Sequence, residues 1–245
     1  MAASTCAMGA DLVAEWGNFS NLTSTVGNYS LTTSCSVSDG VLSVTHSTNA
    51  AAATIDLTSA GLTMDSGITV SLTLSNLDIV GSNDNNPAAI FGLATTGKDN
   101  AFIAGFDDNS TLNSSQYALA YDGSGSKVSP NRMTATPAPT GDTPVTITLT
   151  IADTAVNYYL NGNSIGSATL NISGNDWTAE TITTLSLGSW PGSSANSRSS
   201  AKFYNLAVYS GAMSASEVAA LVPEPTTATL SLLALAGLAA RRRRK

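Results

Sequence analysis

Histidine and cysteine are nearly missing from this chain: His46 is the single histidine, and Cys6 and Cys35 are the two cysteines. Zinc centres draw most of their ligands from those two residue types, and His46 and the cysteines show no metal-ligand spacing, so metal-assisted hydrolysis lacks its donors. Two thiols are also too few for a disulfide-dense scaffold. An oxidising compartment would allow a Cys6–Cys35 bridge, and the sequence leaves that open. Charge is scarce as well, at 11% of residues, and positive charge scarcer. Up to Val222, five bases (Lys98, Lys127, Arg132, Arg198 and Lys202) stand against sixteen acids, a net charge near −11. That balance argues against nucleic acid or an anionic membrane surface as an attractive partner.

Long apolar runs are missing too. The longest, Ala228 to Ala240, has thirteen residues and is broken by Thr229, Ser231 and Gly237. A helix spanning the hydrocarbon core needs about 20. Met1 to Ala10 has neither a basic n-region nor an adequate apolar h-region, and reads as a leader remnant or trimmed end. Catalytic signatures are equally thin. The glutamates are Glu15, Glu180, Glu217 and Glu224, and none opens a Glu-x-Asp-x-x-Glu strand of paired carboxylates. Gly162-Asn163-Ser164-Ile165-Gly166 matches the Gly-x-Ser-x-Gly nucleophile pattern, but that motif needs a strand, a strained turn and a helix, and this copy sits in a hairpin signal.

What is abundant is Ser, Thr, Asn, Gly and Ala in two-residue alternation with apolar residues, the mark of half-buried strands. Leu42 and Val44, then Ile55 and Leu57, belong to two short early strands. Ile68 to Leu74 and Val145 to Ile151 alternate without a break, and Ala89–Leu93 and Phe102–Phe106 read as central strands. Gln116 to Tyr121 is another candidate, and Asp122 to Asp142 reads as a long surface loop. Asn161-Gly162 between apolar runs predicts a type I′ hairpin. Ser214-Ala215-Ser216-Glu217 is a capping box opening a short helix over Ala215 to Leu221, with Val218 and Leu221 facing inward.

The chain ends on Pro223-Glu224-Pro225, the thirteen-residue apolar run, and the basic cluster Arg241, Arg242, Arg243, Arg244 and Lys245. Those three parts, in that order, resemble a PEP-CTERM sorting signal. The resemblance implies an exported bacterial protein, held transiently in the inner membrane by this tail and processed by an exosortase before reaching the cell surface or exterior. The basic residues would stay cytoplasmic. Further back, Tyr159-Leu160-Asn161-Gly162, Leu187-Gly188 and Leu206-Ala207-Val208-Tyr209, leading into the capped helix, resemble the LamG-like, concanavalin A-like jelly rolls. This implies one all-β antiparallel sandwich over residues 11–222, between the leader remnant 1–10 and the sorting signal 223–245.

The binding candidates are aromatic and oxygen-rich loops, since sugars offer an apolar face rimmed by hydroxyls. Trp190 with Asn196 is one pair, and Trp177 with Asp176 another, although all three tryptophans (with Trp16) would also serve as core plugs. Asp84, Asp107 and Asp108 lie in oxygen-rich loops able to hold calcium, without EF-hand spacing. The sequence thus predicts a non-catalytic module binding glycan or exopolysaccharide. Its alternatives are a structural matrix component and, third, a glycoside hydrolase. Replacing Glu224 by Ala, or deleting Arg241–Lys245, is expected to block tail processing and hold the protein in the inner-membrane fraction. Immunoblots showing unchanged surface delivery would contradict the sorting assignment.

Overall fold

The computed structural model describes residues 9–45, 53–79, 88–106, 116–120, 131–132, 138–170, 177–189, 191 and 199–222. The strands are β1 Asp11–Trp16, β2 Leu31–Thr33, β3 Ser36–Ser38, β4 Val41–Val44, β5 Ala53–Asp56, β6 Ile68–Ser75, β7 Ala88–Thr95 and β8 Lys98–Phe106. They continue as β9 Gln116–Ala120, β10 Asn131–Arg132, β11 Val145–Ala152, β12 Ala155–Leu160, β13 Asn163–Thr169, β14 Ile182–Leu187 and β15 Ala201–Ser210, followed by helix α1 Ala215–Leu221. One sheet runs β13-β12-β11-β6-β15-β4-β3, with β1 also on β15. The other runs β10-β9-β8-β7-β14-β5-β2. Every pairing within the two sheets is antiparallel. This is the sandwich that the alternation and the LamG-like resemblance imply.

The inner faces interlock as expected from period two: Ile68, Val70, Leu72 and Leu74 of β6 meet Ile147, Leu149 and Ile151 of β11 in one continuous core with Phe91, Phe102 and Leu185 of the other sheet. Tyr158 is fully buried, and burial pushes its phenol above the ordinary value while its hydroxyl reaches the backbone of Gly105 across the sandwich. Trp16 is buried in the same core and donates Nε1 to the Leu22 carbonyl at 3.1 Å, so this tryptophan is a core plug.

Three expectations need correction. The polar faces of β6 and β11 are largely covered; Thr69, Ser71, Thr148 and Thr150 are buried, and Thr73 and Thr146 half-buried. Register explains it: Ser71 stands opposite Thr148 and Thr73 opposite Thr146, and each pair shares a 2.9 Å hydrogen bond, so the hydroxyls satisfy one another under cover. The strand containing Ile55 stops at Asp56, leaving Leu57 buried just beyond it. The segment read as a loop from Asp122 to Asp142 contains β10 and buries Ala138, because Pro139 accepts a hydrogen bond from Leu77 N–H at 3.0 Å and draws the segment onto the core.

The two local motifs fold as predicted. Asn161 and Gly162 have φ of 47° and 77°, the left-handed pair a type I′ turn demands. Ser214 caps α1 with both halves of the capping box in place. Val218 is fully buried, whereas Leu221 is only half-buried. Thr69 Oγ1 donates to Gly211 O at 2.9 Å and accepts from Met213 N–H at 3.0 Å, and Met213, Val218 and Tyr159 form a second cluster that docks α1 on the outer face.

Hydrogen bonds from the Ser214 hydroxyl and backbone hold the Glu217 carboxyl below its ordinary value of 4.5. A depressed folded-state value means that this group's contribution is present above the unfolded value and is lost as pH falls through the folded one. The urea midpoints of wild type and Glu217→Ala should therefore differ near neutrality and converge in acid. A gap that does not change with pH would contradict the box.

Candidate functional site

Strand register sorts the candidate residues onto two ends of the sandwich. At one end β6 finishes, β7 starts, β8 finishes, β9 starts, β14 finishes and β15 starts. Ala88 stands opposite Phe106, Phe106 opposite Gln116, Leu187 opposite Phe91 and Lys202 opposite Ser75. The segments holding Asp84, Asp107, Asp108, Trp190 and Asn196 all connect strand ends at this end, although those five residues lie outside the described residues. Trp177 opens a one-turn 3-10 helix, Trp177–Ala179, between β13 and β14, at the opposite end. Asp176 beside it is outside the described residues. Trp177 and the described roots of the Trp190 segment, Ser189 and Ser199, therefore lie at opposite ends of the sandwich. The sorting-signal residues Pro223, Glu224, Pro225, Arg241, Arg242, Arg243 and Arg244, like Cys6 and His46, also lie outside the described residues.

The roots of the Trp190 segment are pinned to the second sheet. Gly188 N–H donates to Ile90 O at 3.0 Å, the Ser186 hydroxyl to Ser189 O, and the Ser199 hydroxyl to Ala89 O. Gly92 lets this segment lie flat: a Cβ there would stand 2.8 Å from Ser189 O and 2.9 Å from Pro191 Cδ. Around these roots Ser189 Oγ and Asn76 Oδ1 are buried and make no hydrogen bond among the described residues.

A second place, missed by sequence reasoning, is a groove of about 180 Å³ on the outer face of the first sheet. Its lining includes Glu15 and Gly17 from β1 and its exit, Ser71 and Thr73 of β6, Thr146 of β11, Asn205 and Tyr209 of β15, and Leu221 of α1. The Ser71–Thr148 and Thr73–Thr146 pairs are internally satisfied, so they form a quiet polar floor. Among the described residues the Glu15 carboxylate accepts one hydrogen bond, from Thr25 Oγ1 at 3.3 Å. Tyr209 has its phenol raised above the ordinary value by burial and then by the charge of Glu15, and both residues line the groove. Residues this far apart in sequence give no local signal; the one hint is Asn205, a polar interruption of the apolar strand Phe203–Tyr209.

Among the described residues no group of three or more His, Cys, Asp or Glu side chains is placed to hold a metal. Glu180 is committed elsewhere, accepting from Thr95 Oγ1 at 2.6 Å and Gly97 N–H at 2.8 Å.

Two antiparallel sheets, with the C-terminal strand central in one of them, define a lectin-like jelly roll. The chain belongs to the Concanavalin A-like lectin/glucanases superfamily: the Laminin_G_3 family model matches residues 46–219. The PEP-CTERM protein-sorting motif matches residues 221–245, beginning at the last residue of α1. Residues 9–45, ahead of the first match, supply β1 to β4 to the same two sheets. The fold is similar to that of Trypanosoma rangeli sialidase, at 15% identity and a TM-score of 0.59, covering 85% of this chain and 32% of that one. It is also similar to domain 4 of AbnA, a GH43 extracellular arabinanase from Geobacillus stearothermophilus solved with arabinotriose, at 16% identity and a TM-score of 0.53, covering 88% of this chain and all of that one. The binding domain of botulinum neurotoxin serotype G matches at 11% identity and a TM-score of 0.59, covering 86% of this chain and 50% of that one. This chain thus spans about a third of the sialidase chain and half of the neurotoxin binding-domain chain. No curated protein matches it in sequence.

Gly92→Ala should lower stability by about 1–3 kcal/mol, the usual cost of forcing atoms into a packed site. A urea midpoint unchanged from wild type would show that the Trp190 segment does not rest on β7.

Proposed function

We propose that this is an exported, non-catalytic carbohydrate-binding protein, delivered by exosortase processing of its PEP-CTERM tail. The observation that carries the reading is the outer-face groove. A carboxylate (Glu15), a carboxamide (Asn205) and a phenol (Tyr209) line it together above a floor of hydroxyls already paired with one another. Sugars are held by that mixture: carboxylate and amide groups take the ring hydroxyls, and an aromatic ring faces the apolar side. Drug-sized ligands occupy pockets of roughly 300–1,000 Å³. A groove of about 180 Å³ suits a single sugar ring or a chain end.

The non-catalytic part rests on carboxylates. Glycoside hydrolysis uses two carboxyl groups flanking the scissile bond, roughly 5–10 Å apart. Among the described residues Glu15 is the one carboxylate lining the groove, while Glu180 and Glu217 are spent on turn and helix caps. The loop end is a second contact zone in this reading, where Trp190 and Asn196 add an aromatic and an amide and Asp84, Asp107 and Asp108 are candidate calcium donors. The arabinanase domain solved with arabinotriose supports a like fold serving as a sugar-binding accessory.

The test is a glycan array probed with the chain up to Val222, with and without calcium. Binding that falls about tenfold on Asn205→Ala or Tyr209→Ala, roughly 1.4 kcal/mol, is the expected result. Loss on Trp190→Ala alone would move the site to the loop end, and calcium dependence would bring in the aspartates. Silence under both conditions would favour a structural matrix component.

A further inference from the structure

The sorting motif begins where the fold ends, and that leaves almost no linker. Helix α1 starts beside Thr69, near the beginning of β6, and runs along the outer face toward the end of that strand. Its last turn packs on the β12–β13 turn: a Cβ on Gly162 would stand 3.2 Å from Ala219 Cα and 3.3 Å from Val222 Cγ2. Asn161 N–H donates to Thr146 O at 2.7 Å, and Thr146 stands opposite Thr73, so this turn belongs to the end where β6 finishes. Val222 therefore leaves the domain at the same end as the roots of the Asp84, Asp107 and Trp190 segments. Leu221, one residue earlier, walls the groove.

Only Pro223 to Thr227 separate Val222 from the apolar run that opens at Ala228. Fully extended, that stretch reaches about 20 Å. The headgroup layer on each side of a bilayer already takes up roughly 5–8 Å of it. A domain whose β6 alone spans about 25 Å cannot turn end over end on so short a tether.

We infer that, before processing, the domain stands on the bilayer with its loop end facing the lipid headgroups. This rests on the tail being a membrane-inserted sorting signal, and does not depend on any sugar being bound. The tether sets the orientation, not adsorption, because five bases against sixteen acids give the domain no attraction to an anionic surface.

The test uses the full chain in phosphatidylcholine vesicles, with Cys6 and Cys35 replaced by Ser. A donor dye is placed on Asn163→Cys at the tail end or on Asp65→Cys at the far end; both positions are exposed. Energy transfer to a short-range acceptor on the headgroups should be at least twofold more efficient from position 163. A flexible 20-residue Gly/Ser spacer inserted after Val222, about 25 Å in root-mean-square reach, should erase the difference. Ser164→Cys and Ser66→Cys repeat the comparison if either first variant fails to fold. Equal transfer from both ends without the spacer, or stronger transfer from position 65, overturns the orientation. Protein that does not float with the vesicles removes the membrane partner and overturns the proposal together with the tail reading. A silent glycan array bears on neither.

Discussion

The strand β15 is the constraint from which the rest follows. Over Lys202 to Ser210 it pairs with β6, and its other edge is shared between β4, at Ala201 to Phe203, and β1, at Leu206 to Ser210. One ten-residue strand thus fixes the N-terminal strand, the middle of the first sheet and the start of α1. Its beginning receives the Trp190 segment from β14, and its end launches the helix that leads to the sorting motif. Because a one-residue slip would turn Phe203, Leu206 and Val208 out of the core, this register is strongly held.

The groove is a product of that register and not of any motif. Glu15 arrives because β1 lies against β15 with Glu15 opposite Ala207; Ser71 and Thr73 arrive because β6 lies on the other edge opposite Ala207 and Asn205. α1 closes one side after Thr69 captures the Gly211–Met213 corner. A polar outer face that would otherwise be wetted is roofed in part, and its hydroxyls pair off, leaving Glu15, Asn205 and Tyr209 as the groups turned to the groove. The groove is placed next to the root of the tail by the same packing.

Local signals were the legible ones. Asn161-Gly162 gave its turn because only left-handed backbone closes a two-residue hairpin, and Ser214 to Glu217 gave its helix because the cap is satisfied within four residues. Alternation in Ile68–Leu74 and Val145–Ile151 found the strands and their inner faces, but could not say that their threonines lie under a helix contributed from 65 or more residues away. The tail was readable from the order of its parts, and the family from the last third of the domain. Trp177 and Trp190 look equivalent in sequence, yet Trp177 and the roots of the Trp190 segment lie at opposite sheet ends, a matter of strand direction that composition does not carry.

The proposed glycan site is the outer face of the first sheet, between β15 and the last turn of α1. Amide chemical-shift mapping, with the processed domain titrated by an oligosaccharide, tests it most directly. The predicted result is a cluster of shifted resonances at Glu15, Gly17, Asn205 and Tyr209, with Leu221 at its rim. Saturable binding with shifts confined to the roots of the Trp190 segment, or to the β13–β14 connection, would contradict it.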